Sequence, residues 1–197
     1  MGVYKLSTAG GLATPRTNYS SFLAGNPAVK FTSYESIATV TGTGSSATIT
    51  FSSIPSTYEH LQIRFTGKGT GGAEVDTSIR FNSDTGSNYA WHQVYGYGTS
   101  IASSNGTSQN KILGFYTTGT NDSNVVSSAV LDILDYKSTN KNKTTRMLSG
   151  LRGTNGFIGL RSGVWLNTAA ITSIDIVLDS GNWATTTQIA LYGIKGA

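Results

Sequence analysis

The 197-residue chain contains no cysteine, two histidines, three prolines and no long run of apolar residues. The lack of cysteine excludes disulfide scaffolds, thiolate zinc sites and cysteine nucleophiles. Because no stretch of about 18 apolar residues occurs, the sequence has no segment suited to span a membrane as a helix. Residues 1–20 lack the apolar core of a signal peptide, so we expect no export by that route.

Charged residues are also scarce, at 12% of the chain, whereas hydroxyl side chains are abundant. The sequence has 28 threonines, 25 serines and 24 glycines. Disordered chains combine low hydrophobicity with high charge, and here 38% of the residues are apolar, which is enough for a folded core. A composition rich in threonine, valine, isoleucine, serine and glycine disfavours helices and favours short strands joined by turns. It predicts an all-β protein.

Residues 1–33 differ from the remainder of the chain in charge and in pattern. This segment carries three basic residues and no acidic one, so it holds most of the net charge of +4. Its apolar residues follow neither the period of a strand nor that of a helix. We therefore predict an extended N-terminal arm, followed by one domain over residues 34–197. Three unclustered charges are too few to predict nucleic-acid binding.

We expect this arm to dock onto other proteins, because its scattered apolar side chains cannot bury one another. The alternative is an arm that folds back onto its own domain. The residues expected to make the docking contacts are Tyr4, Lys5, Leu12, Arg16, Tyr19, Phe22 and Leu23.

Short alternating runs recur throughout residues 34–197, and turn residues separate them. Leu61–Phe65, for example, places three apolar side chains on one face and two polar ones on the other. We count about ten such strands, with frequent Gly, Asn, Asp and Ser turns between them. Because strand and helix patterns do not alternate, we predict an antiparallel β-sandwich that is jelly-roll-like.

The pattern also predicts how particular strands are placed. Ser36–Val40 leads through a glycine-rich turn into Thr48–Phe51, which predicts a hairpin. Val130–Tyr136 is apolar on both faces apart from Asp132 and Asp135, which predicts a central strand that is covered on both sides.

Motifs for catalysis or nucleotide binding are weak. Gly42–Ala47 and Gly67–Gly72 have the spacing of a dinucleotide-binding glycine loop, but a strand pattern follows each of them where that site requires a helix. His60 and His92 are the two imidazoles of the chain, and neither lies in an H-E-x-x-H motif. No G-x-S-x-G motif is present either. We therefore predict no catalytic residue, no metal, no cofactor and no enzymatic activity.

Two polar segments have both a structural and a binding interpretation. Asn82–Asn88 offers oxygen ligands at alternate positions, as calcium sites do, although a tight turn held by Asx-type hydrogen bonds is the simpler interpretation. Lys137, Lys141, Lys143 and Arg146 form a basic segment that is either solvated or docks an acidic neighbouring subunit.

The most distinctive segment of the sequence is Tyr89–Tyr97. In an extended conformation Tyr89, Trp91, Tyr95 and Tyr97 share one face. That face is either buried in the sandwich core or a platform on which sugar rings stack. These four residues form the candidate glycan-facing set, and the exposure of Trp91 is expected to discriminate between the two interpretations.

Several strings of the chain resemble a set that recurs in virion proteins of marine tailed phages, notably cyanophages. They are SYESIATVTGTG, ITFSSIPSTYEHLQIR, FNSDTGSNYAWHQ, DILDYKSTNKNKT and LYGIKG. The opening YKLSTAGGLATPRTNYSSFLAGNP is similar to the short leader that often precedes that domain. The resemblance covers nearly the whole chain. It implies a structural virion protein with a β-sandwich fold, and it carries over no active-site residue.

The resemblance and the arm together predict a capsid decoration (cement) protein, held to the virion by its N-terminal arm and assembled in the host cytoplasm. Other virion proteins, either the major capsid protein or tail proteins, are the expected partners, and by analogy we expect a homotrimer. The alternative is a tail-fibre or receptor-binding protein that recognises host surface polysaccharide. We expect no binding to nucleic acid or to membranes.

Overall fold

The computed structural model describes residues 33–121, 124–153 and 155–196, and these residues contain twelve β-strands and no helix. The strands form two antiparallel sheets of eight and four strands, which confirms the predicted all-β sandwich with more strands than the sequence indicated. Their bounds are β1 Tyr34–Thr41, β2 Thr48–Phe51, β3 His60–Gly67, β4 Val75–Phe81, β5 Tyr89–Tyr97, β6 Ser100–Gln109, β7 Ile112–Thr117, β8 Ser127–Leu134, β9 Lys143–Leu151, β10 Phe157–Trp165, β11 Ile174–Leu178 and β12 Gln188–Ile194.

The two sheets differ in size because two hairpins extend one of them. The larger sheet has the strand order β1-β12-β3-β8-β9-β10-β5-β6, and the smaller sheet has the order β2-β11-β4-β7. The hairpins β5–β6 and β9–β10 together form the half of the larger sheet beyond β8. The edge strand β7 of the smaller sheet packs across from β8, β9, β10 and β5. The outermost strand β6 contains no buried residue, so it projects past the smaller sheet.

The core lies between the sheets and consists of the inward side chains of alternating strands. In β11, for example, Ile174, Ile176 and Leu178 are buried and the residues between them are partly exposed. Phe65 of the larger sheet stacks on Phe115 of the smaller one, with ring centroids 4.1 Å apart. Burial of each such side chain contributes about 1.5–3 kcal/mol relative to exposure. The apolar faces of the two sheets therefore hold the sandwich together.

The predicted hairpin between Ser36–Val40 and Thr48–Phe51 is wrong. β1 pairs with β12 in the larger sheet, whereas β2 pairs with β11 in the smaller sheet. The intervening residues cross between the sheets, where the backbone N–H of Gly44 donates to the carbonyl of Trp183 at 2.8 Å. A glycine-rich connection indicates a change of direction, but it does not specify which sheet the next strand joins.

The strand predicted at Val130–Tyr136, which overlaps β8, was expected to be covered on both faces but is covered on only one. β8 does lie inside the larger sheet, between β3 and β9. Its residues alternate, however, with Ala129, Leu131 and Ile133 buried and Val130 39% exposed. In a two-sheet sandwich only the inner face of each sheet meets the other sheet, so the outer face stays accessible even in a central strand.

Candidate functional site

The functional residues predicted from the sequence fall into two groups. The arm residues Tyr4, Lys5, Leu12, Arg16, Tyr19, Phe22 and Leu23 lie outside the residues that the structure describes. The aromatic residues of β5 are described, and they all lie on the inner face of the larger sheet, because they alternate with the exposed residues His92 and Val94.

The four aromatic residues of β5 differ in exposure along the strand. Tyr89 is fully buried, so it is a core residue and does not belong to the glycan-facing set. Trp91 is partly buried and packs against the core. Tyr95 and Tyr97 are also partly exposed, and they lie at the end of β5 that joins β6. The aromatic face therefore passes from the core at one end to an accessible surface at the other.

Tyr95 and Tyr97 line a cavity of about 350 Å³, which we call the inter-sheet cavity. Asp76 of β4 and Tyr116 of β7 contribute to it from the smaller sheet, and β5, β6 and β10 contribute from the larger sheet. It lies beside β7, where the larger sheet extends past the smaller one. Its lining residues are Asp76, Gln93, Tyr95, Tyr97, Ser100, Ala102, Tyr116, Phe157 and Arg161.

Arg161 is the central polar residue of the inter-sheet cavity. It lies on the inner face of β10 and is only 4% exposed. Its Nε donates to Oε1 of Gln93 at 2.7 Å, and its Nη2 donates to Oδ1 of Asp76 at 3.0 Å. Gln93 in turn donates to the hydroxyl of Ser104 at 2.7 Å. The third nitrogen, Nη1, is buried and has no hydrogen-bond partner among the described residues.

Burial shapes the electrostatics of this pair. It lowers the pKa of Arg161, but an arginine remains protonated in proteins. It raises the pKa of Asp76, and the attraction of the Arg161 guanidinium only partly offsets this effect. Burial also raises the pKa of the Tyr116 hydroxyl to about 12, so this phenol is neutral at physiological pH. With Asp76 ionised, the formal charges of the pair cancel.

An aromatic wall faces these polar groups. The ring of Phe157 stacks on Tyr95 with centroids 5.8 Å apart and contacts Tyr116 at 4.9 Å in a tilted arrangement. The guanidinium carbon of Arg161 lies 5.5 Å from the centroid of Phe157. Aromatic rings in this geometry hold one another in fixed orientations, so the wall is organised before any ligand arrives.

Glu74 and Asn155 hold the hydroxyl of Tyr97 at the rim of the cavity. The hydroxyl donates to Oε2 of Glu74 at 3.3 Å and accepts from Nδ2 of Asn155 at 3.1 Å. The other carboxylate oxygen of Glu74, Oε1, is buried without a partner among the described residues. The rim therefore contains a second unsatisfied polar atom, an acceptor, beside the unsatisfied donor of Arg161.

Sequence reasoning identified Tyr95 and Tyr97 but missed Arg161 and Asp76. A signal for Arg161 is present in the sequence, because it shares a strand face with Phe157 and Trp165, which alternation assigns to the core. A charged residue on a buried strand face needs a partner, and such residues often mark functional sites. No comparable signal identifies Asp76, whose partner is distant in sequence.

The outer face of the larger sheet carries a second candidate site. Val130, Leu148, Leu160 and Val94 are direct cross-strand partners on β8, β9, β10 and β5, and each is 39% to 56% exposed. The next outward-facing row of the same sheet holds Ile158 of β10 and Ile101 of β6, which are 61% and 84% exposed. These two residues pair with Gly96 of β5 from either side. We call Val94, Ile101, Val130, Leu148, Ile158 and Leu160 the outer apolar patch.

Polar groups border the outer apolar patch. The guanidinium of Arg64, the cross-strand partner of Val130, lies 5.0 Å from the ring centroid of Tyr192. On the neighbouring row, Gln62 donates to Asp132 at 2.8 Å, and Arg146 lies 4.0 Å from the same carboxylate. The patch is therefore an apolar surface with charges of both signs at its border, as protein interfaces have.

Hydrogen bonds give structural roles to the loop Asn82–Asn88 and to one residue of the basic segment. In Asn82–Asn88 the carboxylate of Asp84 accepts from the backbone N–H of Gly86 and from Asn88, both at less than 3 Å, so the loop is an Asx-type turn. In the basic segment Lys143 is fully buried, and its ammonium donates to the carbonyls of Lys141 and Thr168. Lys143 is therefore not a docking residue.

No protein-family model matches the chain, no curated protein matches its sequence, and no solved structure matches its fold. In the described residues no helix is long and apolar enough to cross a membrane. Nor do three His, Asp or Glu side chains come together there in a way that would hold a metal ion. The predicted virion role accordingly stays a prediction, and the proposals below rest on the residues and their geometry.

Proposed function

We propose that the protein is a non-enzymatic structural component of a phage virion, namely a capsid decoration protein. The all-β sandwich and the phage-type sequence strings support this proposal. The strand order supports it too, since β1-β12-β3-β8 and β2-β11-β4-β7 are the two sheets expected of a jelly roll. On this proposal the hairpins β5–β6 and β9–β10 are insertions into a jelly roll, a fold common among viral capsid proteins.

The outer apolar patch is the observation that carries the proposal. Single exposed apolar residues are ordinary, but a contiguous apolar surface marks a site of interaction. Here four adjacent strands present such residues in register, so the exposure follows from the sheet and not from a loose side chain. A protein that assembles into a larger particle requires a surface of this kind.

The occupant that we propose for the patch is the same patch on other copies of this chain. An apolar surface can pack on the equivalent surface of another copy, and around the axis of the expected homotrimer one side of each patch would meet the other side of the next copy's patch. The bordering charges, Arg64 and Arg146 with Asp132, are of both signs, so copies of one chain can pair them. The arm, residues 1–33, would dock each copy onto other virion proteins.

The copy number of the protein in purified virions tests the function. Quantitative mass spectrometry against the major capsid protein is expected to give a count comparable to that of the capsid protein. A handful of copies per particle would contradict decoration and favour a tail or vertex component. Absence from the particle would overturn the virion role itself.

The oligomeric state of the purified chain tests the role of the patch. We expect Leu160→Lys to shift the trimer to monomer in sedimentation velocity, because it places a charge at the centre of the patch. Thr144→Lys is the matched control, since Thr144 is exposed on the outer face of the neighbouring strand but outside the patch. A wild-type chain that is monomeric, or equal behaviour of both variants, would contradict self-association through the patch.

A receptor-binding protein that recognises host polysaccharide is the second candidate function. The observation that favours it is the inter-sheet cavity, where the partly exposed rings of Tyr95 and Tyr97 lie beside unsatisfied polar atoms. Adsorption of the labelled protein to host cells, and its loss after removal of the surface polysaccharide, would distinguish this candidate from decoration.

A further inference from the structure

We propose that the inter-sheet cavity binds one neutral sugar ring of a larger glycan, through Arg161, Asp76 and the aromatic wall of Tyr95, Tyr116 and Phe157. The inference rests on the receptor-binding candidate for its biological role, and it adds the residues and the ligand class. It does not depend on decoration of the capsid.

The first argument is an unsatisfied donor on Arg161, one of the residues that line the cavity. Arg161 is 4% exposed, and two of its three nitrogens are held by Gln93 and Asp76. Its Nη1 is buried without a partner among the described residues. Buried donors in native proteins are almost always paired, and an unpaired one is costly. Nη1 is closed off from the cavity in this structure, so a ligand oxygen would satisfy it after a shift of the guanidinium toward the cavity.

The second argument is the charge of the site. Asp76 neutralises Arg161 at 3.0 Å, so the lining residues carry no net formal charge, and the Glu74 carboxylate at the rim adds a negative charge that disfavours anions. The negative charge of a phosphate or carboxylate ligand would repel the Asp76 carboxylate. An aliphatic ligand would displace water from Arg161 and Asp76 and give them no hydrogen bond in return. A ligand with several hydroxyl groups avoids both penalties, because a hydroxyl accepts from the guanidinium and donates to the carboxylate.

The third argument is the aromatic wall. Tyr95, Phe157 and Tyr116 are packed together with fixed ring orientations, and Tyr95 is partly exposed. A sugar ring has one face of C–H groups and an edge of hydroxyls, so it matches a site with an aromatic surface on one side and polar atoms on the other. A cavity of about 350 Å³ is at the small end of ligand sites, which suits a single ring.

The position of the cavity allows the rest of a glycan to continue outward. Tyr97 and Ser100 lie at the turn between β5 and β6, the accessible end of the hairpin. Ser100 is exposed and Tyr97 is partly exposed. A chain bound by one ring in the cavity can therefore leave past this turn without passing through the core.

Saturation-transfer NMR on the full chain tests the proposal, with methyl glycosides of glucose, galactose, mannose and N-acetylglucosamine as probes and methyl glucuronide as the charged comparison. We expect at least one neutral glycoside to receive saturation and the glucuronide to receive less. Transfer to the glucuronide alone, or to none of the probes, would overturn the inference.

Variants then locate the binding. Tyr95→Ala and Arg161→Met are each expected to raise the dissociation constant by about tenfold or more. Ser103→Ala, which changes an exposed residue of β6 outside the cavity, is the control and is expected to bind like the wild type. Because Arg161→Met removes a buried ion and can impair folding, the comparison of Tyr95→Ala with Ser103→Ala, both checked by circular dichroism, decides the result. Equal binding by Tyr95→Ala and wild type would place the sugar elsewhere, which refutes this site and leaves the receptor-binding candidate intact.

Discussion

Trp165 donates its indole N–H to the carboxylate of Asp84 at 2.7 Å, across 81 residues of sequence. Trp165 is a fully buried residue of β10, and Asp84 lies in the turn between β4 and β5. Asn88 donates to the same carboxylate oxygen at 2.9 Å. The carboxylate thus satisfies a buried donor of the larger sheet and also orders the turn that enters β5.

Replacement of Asp84 by alanine is expected to destabilise the protein by about 1.5–3 kcal/mol, the range for hydrogen bonds to a charged group. The change leaves the indole N–H of Trp165 without its acceptor. Urea denaturation followed by tryptophan fluorescence measures the effect. Ser87→Ala, an exposed change in the same turn, is the control and is expected to alter stability by less than about 0.5 kcal/mol. Equal stability of the two variants would contradict the role of Asp84.

Ionisation of the Asp84 carboxylate makes the free energy of unfolding depend on pH. Hydrogen bonds from Trp165 and Asn88 lower the pKa of Asp84 below its ordinary value, so the folded state holds this proton less tightly than the unfolded state. Its contribution is therefore complete above the ordinary aspartate pKa and is lost as pH falls through the lower, folded-state pKa. Burial raises the pKa of Asp76, so protonation of that carboxyl favours the folded state instead.

We therefore expect the stability difference between wild type and Asp84→Asn to be largest at neutral pH and to shrink under acid conditions. Asparagine keeps the shape of the side chain but does not titrate in this range. Urea denaturation at a series of pH values from neutral to strongly acid measures the difference. A difference that stays constant across the series would refute the linkage.

Lys143→Met is expected to destabilise the protein by about 1–3 kcal/mol, because it removes the donor of two partly buried hydrogen bonds to backbone carbonyls. These carbonyls belong to Lys141 and Thr168, and they accept from the Lys143 ammonium at 2.6 Å and 3.0 Å. Methionine preserves most of the volume, so the loss would come from the polar contacts. Lys141→Met is the control, since its exposed pair with Asp135 contributes less than about 1 kcal/mol. Thermal denaturation of both variants provides the comparison.

Gly193→Ala is expected to destabilise the protein by about 1–3 kcal/mol or more, as overpacking of a core does. An added methyl group at this position of β12 would overlap the ring of Tyr58, which is buried and has little room to move. Gly150 in β9 is the matched control, because a methyl group there would meet its nearest atom, the carbonyl oxygen of Phe157, at an ordinary 3.6 Å. Similar denaturation midpoints for the two variants would show that the Tyr58 contact is not restrictive.

Deletion of residues 1–33 is expected to leave a folded domain, because all twelve strands lie between Tyr34 and Ile194. On the proposed function, the truncated chain no longer joins virions. Its circular dichroism and melting temperature would be compared with those of the full chain, and its incorporation would be measured in particles assembled with either form. Incorporation at the level of the full chain would refute docking by the arm.

Local patterns predicted the fold class because alternation in a strand reports directly which face is buried. They missed β6, whose sequence SIASSNGTSQ is almost entirely polar or small, because this strand lies at the sheet edge and no sheet covers it. The prediction that Val130–Tyr136 is covered on both sides was wrong for a related reason. A run that is apolar on both faces indicates two apolar contacts, but the outer face of β8 is not covered by a second sheet, and Val130 there belongs to the outer apolar patch.

The candidate site was predictable only in part. The aromatic alternation of β5 identified Tyr95 and Tyr97, but their exposure depends on where the smaller sheet ends, which is a property of the whole topology. The pairing of Arg161 with Asp76 joins β10 to β4 across 85 positions of the chain. No local pattern contains that distance, so the charged half of the cavity emerged from the structure alone.

The terminal position of the β5–β6 hairpin places β6 and its turn at the margin of the sandwich, away from most of the core. The hairpin joins the rest of the larger sheet through one strand, β10, and its outer strand buries no residue. Substitutions or length changes in β6 and its turn are therefore expected to leave the order and pairing of the other strands intact. β6 and its turn are accordingly a replaceable part of the sheet, on which a new binding preference can be engineered without redesign of the sandwich.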